Sequence, residues 1–558
     1  MRVITEPAVK IFLVELVVFF PVIATSQAFV HPGSDRVWQW SVPVQKARNA
    51  ASRAFLWIPP DCKKVKAVVV TQNNMEELSI VENDYFRASM QQLSFAIVWV
   101  SPIFDNLFRF NEGAGEVFNG MMNDLADSSG YTELKYAPVV GMGHSAAASW
   151  PYYFAAWNPA RTLCAISVSG QWPWFRSPQF APDIWGDRNI DFIPCLETMG
   201  EYEAANEWSK EGLKERKEHP LMPLSMLACP AEGHFAATEK KIRFIAFYIK
   251  KAAQYRLPKI YPADGPPALL AVNPTTTGWL ADKWRINETP AAPAAPVGKY
   301  TGDATQAFWF FDSATAKAAE RYQSVCRNMK AQLLGYVQHD TIIKQRNTHL
   351  QAEMVFSPQA DGVTFVLKGS FLDTVPGESE RPAMWTGLRV GSAVSHAAGN
   401  IPITINRVVG PFKKLNDTTF RLDMQKETLY NARNYVFTFI ANHPGDAEYK
   451  PATQQGEMIA PARNTTGVEQ HIRFLPIDNQ KTGGQIVLTA LSDAGLPVRF
   501  YVKEGPVMIK DSKLFITTIP PRAKFPMKVT VVAWQYGKSA EPAVQTAIPV
   551  EQTFYIMK

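Results

Sequence analysis

The chain has 558 residues, of which 46% are hydrophobic and 19% charged, and a formal net charge of +6. That length allows about three or four domains, and the composition is that of a well-packed globular protein. The mildly basic balance is compatible with acidic substrates, but no Lys/Arg cluster points to nucleic acid.

At the N-terminus Arg2 and Lys10 precede an apolar run from Ile11 to Ala24, and Ser26-Gln27-Ala28 supplies small residues for cleavage. This is the layout of an export signal over residues 1–28. A membrane anchor needs about 20 apolar residues, and Glu15 and Pro21 interrupt the run. The expectation is a mature protein without a membrane span, exported to the periplasm, cell surface or medium. Losing residues 1–28 removes Arg2, Lys10, Glu6 and Glu15 and leaves the charge at +6. Cys62, Cys164, Cys195, Cys229 and Cys326 lack metal-ligand spacing, and three of them fall in expected core strands, where a free thiol acts as a small hydrophobe. Five cysteines allow at most two disulfides, neither of them favoured by the sequence, and no metal site or cofactor is expected.

Strands are predicted at 53–58 and 66–71, the second followed by the loop Gln72-Asn73-Asn74-Met75. A strand at 95–100 and a helix around 116–127 come next. The stretch Val139-Val140-Gly141-Met142-Gly143-His144-Ser145-Ala146-Ala147-Ala148 is the most informative in the chain. An apolar, β-branched run ends in Gly-x-Ser-x-Ala and continues into Ala-rich sequence. That pattern builds a nucleophile elbow, a strained strand-to-helix turn that lifts a serine hydroxyl clear of the sheet. Small residues flank the serine because its crowded backbone excludes bulk. Ala147 stands where a second Gly is usual.

A further strand at 164–169 leads into Gln171-Trp172-Pro173-Trp174-Phe175, at the strand edge where ligands bind in such sheets. There Trp172 and Trp174 are candidates to stack on sugar rings or to pack the loop onto the core, Gln171 to bond a hydroxyl, and Arg176 and Arg188 to meet a uronate carboxylate. The strand Ile193–Met199 precedes Gly200-Glu201-Tyr202-Glu203, which supplies an acid. Glu203 is the first choice and Glu201 the alternative. Residues 223–229 form a short buried strand before Pro230-Ala231-Glu232-Gly233-His234-Phe235, and an amphipathic helix then carries Ile242, Phe244, Ile245 and Tyr248. Serine, acid and histidine thus occur in the order of the α/β-hydrolase triad. In that reading Ser145 is the nucleophile, His234 the base and Glu203 the group that orients the imidazole. The oxyanion donors are the Ala146 N–H and a group of the 72–75 loop, taken to be Asn73.

Residues 45–258 therefore resemble the α/β-hydrolase superfamily, which implies a mostly parallel sheet with helices on both faces. Beyond them, residues 259–335 read as a Pro-rich linker with a helix over 313–332. Residues 336–465 read as a β-rich module and 466–558 as an immunoglobulin-like β-sandwich. The segments 143–147, Ala155-Ala156-Trp157-Asn158-Pro159, Ser169-Gly170-Gln171-Trp172-Pro173, 200–203 and Gly233-His234-Phe235 make the chain similar to exported bacterial carbohydrate esterases of the pectin methylesterase type. The resemblance implies a secreted serine esterase with a polysaccharide partner, methyl esters being favoured over acetyl or feruloyl esters. From another class, the chain reads as a glycan-binding or surface-assembly protein with a vestigial hydrolase domain.

Overall fold

The computed structural model describes residues 36–174, 184–262, 264–346, 351–426 and 436–558. The export signal and Arg176 lie outside the described residues. An eight-stranded sheet organises the N-terminal half: β1 Trp40–Pro43, β2 Arg53–Trp57, β3 Ala67–Gln72, β4 Phe95–Ser101, β5 Val139–His144, β6 Thr162–Val168, β7 Cys195–Gly200 and β8 Leu224–Cys229. Its order is β1-β2-β4-β3-β5-β6-β7-β8. The β1–β2 and β2–β4 pairs are antiparallel and the other neighbours parallel. Every residue of β3 to β8 is buried. That explains why these strands read as continuous apolar runs, since a sheet covered on both faces has no wet side to alternate with.

The helices are α1 Glu77–Val81, α2 Asp84–Leu93, α3 Ala114–Ser129, α4 Trp150–Trp157, α5 Ala205–Glu218 and α6 Glu239–Arg256. α2 and α6 pack on each other and reach β4 and β6, while α3 and α4 join through Phe118 and Phe154, whose rings are 4.8 Å apart. Two of these six helices start on side-chain caps: Asn83 accepts the Phe86 N–H, and Thr238 accepts the Lys241 N–H. Such caps satisfy donors that the first helical turn leaves without partners. This strand order with helices over both faces is the α/β-hydrolase architecture, and it aims the carboxyl ends of β5, β6, β7 and β8 at one rim.

The segment expected as a linker is folded. Trp279–Asp282, Ala295–Pro296 and Ala307–Phe310 form a small antiparallel sheet, followed by a helix at Ser313–Gln323. Trp309 is wholly buried, and its carbonyl accepts the Ser225 hydroxyl of β8 at 2.5 Å. The prolines sit around this cover, whereas the apolar Ala307–Phe310 run docks it on the hydrolase core.

Two β-rich modules complete the chain. In the first, the four-stranded sheet of Ala352–Val355, Thr404–Val409, Val436–His443 and Ala452–Ile459 faces a three-stranded sheet. Phe437 and Phe439 of one meet Phe365, Phe412 and Phe420 of the other, with Phe412 and Phe439 centroids 4.3 Å apart. The second is centred on Arg499–Glu504, Met527–Trp534 and Val550–Met557. No helix among the described residues is long and apolar enough to cross a membrane. All five cysteines are free thiols.

Candidate active site

The elbow forms as its sequence requires. Ser145 has φ of +55°, in the left-handed region that a serine rarely occupies. A Cβ on Gly143 would come within 2.0 Å of the Ala147 carbonyl oxygen, so only glycine fits there. From residue 137 to 156 every residue is buried except Ser145 and Ala146. The turn thus presents one hydroxyl and the backbone next to it. Ala146 lies in the first turn after β5, where N–H groups have no earlier carbonyl to bond.

The loop after β8 brings His234 to the serine, with Nε2 2.9 Å from Ser145 Oγ. On the other side of the ring, Nδ1 lies 2.5 Å from Glu203 Oε1. The three predicted residues therefore form one hydrogen-bonded line. Glu201, the alternative acid, is engaged elsewhere: its carboxylate accepts the Ala231 N–H at 2.8 Å and the Lys450 ammonium at 2.7 Å. The structure brings Glu203, not Glu201, to the imidazole.

Several charged groups that the sequence did not single out support these loops from beneath. Glu77 accepts the N–H groups of Asn74 and Met75 with one oxygen and that of His144 with the other, tying the loop after β3 to the elbow. Burial pushes its carboxyl up to about 7 against the pull of those donors. His144 Nε2 donates to the His234 carbonyl at 3.0 Å. Beside it, Glu76 is wholly buried with no hydrogen-bond partner among the described residues, and burial pushes its carboxyl up to about 8. Glu232, two residues before His234, bonds the Tyr322 hydroxyl at 2.6 Å and pairs with Lys241 at 3.1 Å. Burial works to raise its carboxyl, but Lys241, Lys240 and the hydroxyl outweigh that and hold it below the ordinary range. Glu76-Glu77 between Met75 and Leu78 is the one signal that could have flagged this layer, because two acids in an otherwise apolar stretch need a reason.

Other expected site residues are placed differently. The Asn73 N–H is spent on the Val100 carbonyl at 2.8 Å, and its carboxamide is buried without a hydrogen-bond partner among the described residues. Asn74 is the partly exposed residue of that loop, and its Nδ2 donates to the His144 carbonyl at 3.0 Å, next to Ser145. Trp172 is not a sugar platform. Its indole is wholly buried, stacks on Phe308 and donates to the Trp208 carbonyl at 2.9 Å. Trp174 is half-buried, with one face against His219 at 3.5 Å and its edge towards Trp185. Ser167 Oγ fixes the Gln171 backbone, donating to its carbonyl and accepting its N–H. Arg188 is exposed and lies over the Phe110 ring. No group of three His, Cys, Asp or Glu side chains among the described residues is placed to hold a metal.

Strand order, elbow and the Ser–His–Glu line define an α/β-hydrolase fold carrying the geometry of a serine-hydrolase site. Among solved structures, the chain is similar to dienelactone hydrolase from Anabaena variabilis, at 15% identity over 40% of this chain and 98% of that one, with a TM-score of 0.28. It is also similar to Est1E from Butyrivibrio proteoclasticus, at 12% identity, 38% and 96% coverage and a TM-score of 0.27. A third similar structure is the S-formylglutathione hydrolase of Staphylococcus aureus, at 11% identity, 36% and 92% coverage and a TM-score of 0.27. No family model and no curated protein sequence matches the chain.

Proposed function

We propose that this protein is an exported serine esterase that removes ester substituents, methyl esters first, from a plant cell-wall polysaccharide such as pectin. The observation that carries the esterase reading is the line Ser145 Oγ, His234 ring, Glu203 carboxylate at the carboxyl ends of β5, β7 and β8. Ser145 Oγ attacks the ester carbonyl carbon while His234 Nε2 takes the hydroxyl proton. Glu203 accepts the Nδ1–H bond and offsets the charge of the imidazolium. The carbonyl π electrons move onto oxygen, and the Ala146 N–H holds that oxyanion with the second N–H of the Asn74 carboxamide. As the intermediate collapses, the ester C–O bond breaks and the leaving alcohol takes the proton from Nε2. An acyl group remains on Ser145. Water, deprotonated by the same nitrogen, then attacks the acyl carbon, frees the carboxylic acid and restores the serine.

For a methyl-esterified uronate the alcohol is methanol and the product polymer gains a carboxylate. The net charge of +6 suits a chain that works along such a polymer. Incubating the purified protein with methylated pectin, acetylated xylan and p-nitrophenyl acetate tests the reading. Methanol from pectin is the expected result, whereas acetate alone would replace methyl by acetyl substituents. Polysaccharide binding without any product, unchanged in Ser145→Ala, would leave a glycan-binding protein.

A further inference from the structure

Three loops build the site: residues 73–77, 200–203 and 231–236. All three lean on the first β-rich module. Met75, Phe235 and Ala236 form one buried apolar cluster with Val408, Val409 and Ile440 of that module. The Tyr202 hydroxyl, between the two acids, donates to the Pro451 carbonyl at 3.0 Å, and the Tyr202 ring meets Trp385 at 4.8 Å. A Cβ on Gly233, the residue before His234, would stand 3.4 Å from Thr453 Oγ1, so the histidine loop is packed flush against the module.

Lys450 is the charged member of this contact. Its ammonium lies 2.7 Å from Glu201 Oε1, and both side chains are 6% exposed. The other Glu201 oxygen holds the N–H of Ala231, whose φ of +58° puts a non-glycine residue in the left-handed region. Such a backbone persists only where its surroundings over-determine it. The Lys450 backbone is itself fixed, its N–H donating to the Lys330 carbonyl at 2.8 Å and its carbonyl accepting Gln332 Nε2 at 2.7 Å. One rigid point on the module thus grips Glu201, two residues ahead of Glu203, and through it Ala231, three residues ahead of His234.

We infer that the first β-rich module is a working part of the active site, with Lys450 as the positioning residue that sets the acid and histidine loops in register. The inference rests on the serine-esterase reading. Lys450 touches no reacting atom; it acts by fixing where Glu203 and His234 stand. A misplacement of about 1 Å in a catalytic group costs on the order of 10²-fold in rate. A pair serving stability alone would lower the melting temperature and leave turnover by the folded fraction untouched.

The test uses the full-length protein and p-nitrophenyl acetate, with a fluorophosphonate to count reactive serines. Lys450→Met is expected to melt cooperatively and to lose about 10- to 100-fold in kcat. Its KM is expected to stay near that of the unmodified protein, and its pH–rate profile to move as the Glu203–His234 contact loosens. Lys450→Arg, which keeps the charge, is expected to restore most of the rate. If Lys450→Met fails to fold, Lys450→Met with Glu201→Gln leaves no uncompensated buried charge, and the same loss of kcat is expected in it. Unaltered kcat and pH profile in whichever of these variants folds would overturn the proposal, with turnover in the unmodified protein intact. No turnover and no labelling in the unmodified protein would overturn the esterase reading and the proposal with it.

Discussion

Glu203→Gln separates the two carboxylates of the acid loop by function. Glu203 Oε1 is 2.5 Å from His234 Nδ1, and its other oxygen is buried without a partner among the described residues. Glutamine keeps the length but replaces the carboxylate with a carboxamide. Its NH2 can donate to Nδ1, which fixes the tautomer that carries hydrogen on Nε2 and leaves no acceptor for the Ser145 hydroxyl. The imidazolium also loses its counter-charge. The corresponding change in a Ser-His-Asp triad costs about 10⁴-fold in kcat. At ~1.4 kcal/mol per factor of ten, that is on the order of 5 kcal/mol of transition-state stabilisation. Glu201→Gln acts differently. The amide oxygen still accepts the Ala231 N–H, but Lys450 is left buried without its partner, which costs about 3–5 kcal/mol of stability. Its rate loss is expected to stay at or below about 10²-fold. Initial rates on p-nitrophenyl acetate, normalised by fluorophosphonate titration of active sites, compare the two. Glu203→Gln retaining more than about a tenth of kcat while Glu201→Gln loses ~10⁴-fold would move the triad acid to Glu201.

Trp172→Ala is expected to remove about 3–5 kcal/mol of stability, because the wholly buried indole stacks on Phe308 and bonds the Trp208 carbonyl. KM for a polymeric substrate should not change; a raised KM with unaltered denaturant unfolding would return Trp172 to the binding surface. Glu76→Gln tests the buried acid layer through pH. Burial lifts the Glu76 carboxyl from 4.5 to about 8, so between those values the folded protein keeps a proton that the unfolded chain has released. Stability from this group therefore falls as pH rises through that window and is level above it. The glutamine variant should gain on the order of a few kcal/mol over the unmodified protein at pH ~9 and almost nothing at pH ~4. Urea unfolding at both pH values checks this, and an equal difference at both would refute it.

The features legible in the sequence were those written in contiguous residues. Val139 to Ala148 carry the strand, the glycine that a Cβ would clash with and the strained serine in one stretch, so the elbow could be read directly. The buried strands β2 to β8 showed as apolar runs, and Gly233-His234 sat between a strand and a helix. Glu203 ranked ahead of Glu201 in the sequence, but both follow one glycine in one turn, so Glu201 stayed open as the alternative. What divides their roles is Lys450, 249 residues away. Asn73 and Asn74 differ by one residue of phase at the end of β3, and a sequence does not show that the Asn73 N–H completes the ladder to Val100 while the Asn74 side chain reaches the His144 carbonyl. Trp172 follows a strand at the edge where such sheets bind ligands, but a sequence does not say which way an indole turns. The prolines of 259–335 suggested extension, and only the docking of Trp309 on β8 shows why that segment folds. β1, a four-residue antiparallel edge, is too short for its alternation to register.

The rate at which Ser145→Ala hydrolyses p-nitrophenyl acetate, relative to the unmodified protein and at equal folded concentration, bears most directly on the central claim. The account predicts a fall in kcat on the order of 10⁴–10⁶-fold, with the melting temperature preserved because the hydroxyl is partly exposed and, among the described residues, bonds only toward His234. Undiminished hydrolysis by Ser145→Ala would contradict it, and would place the activity on another residue.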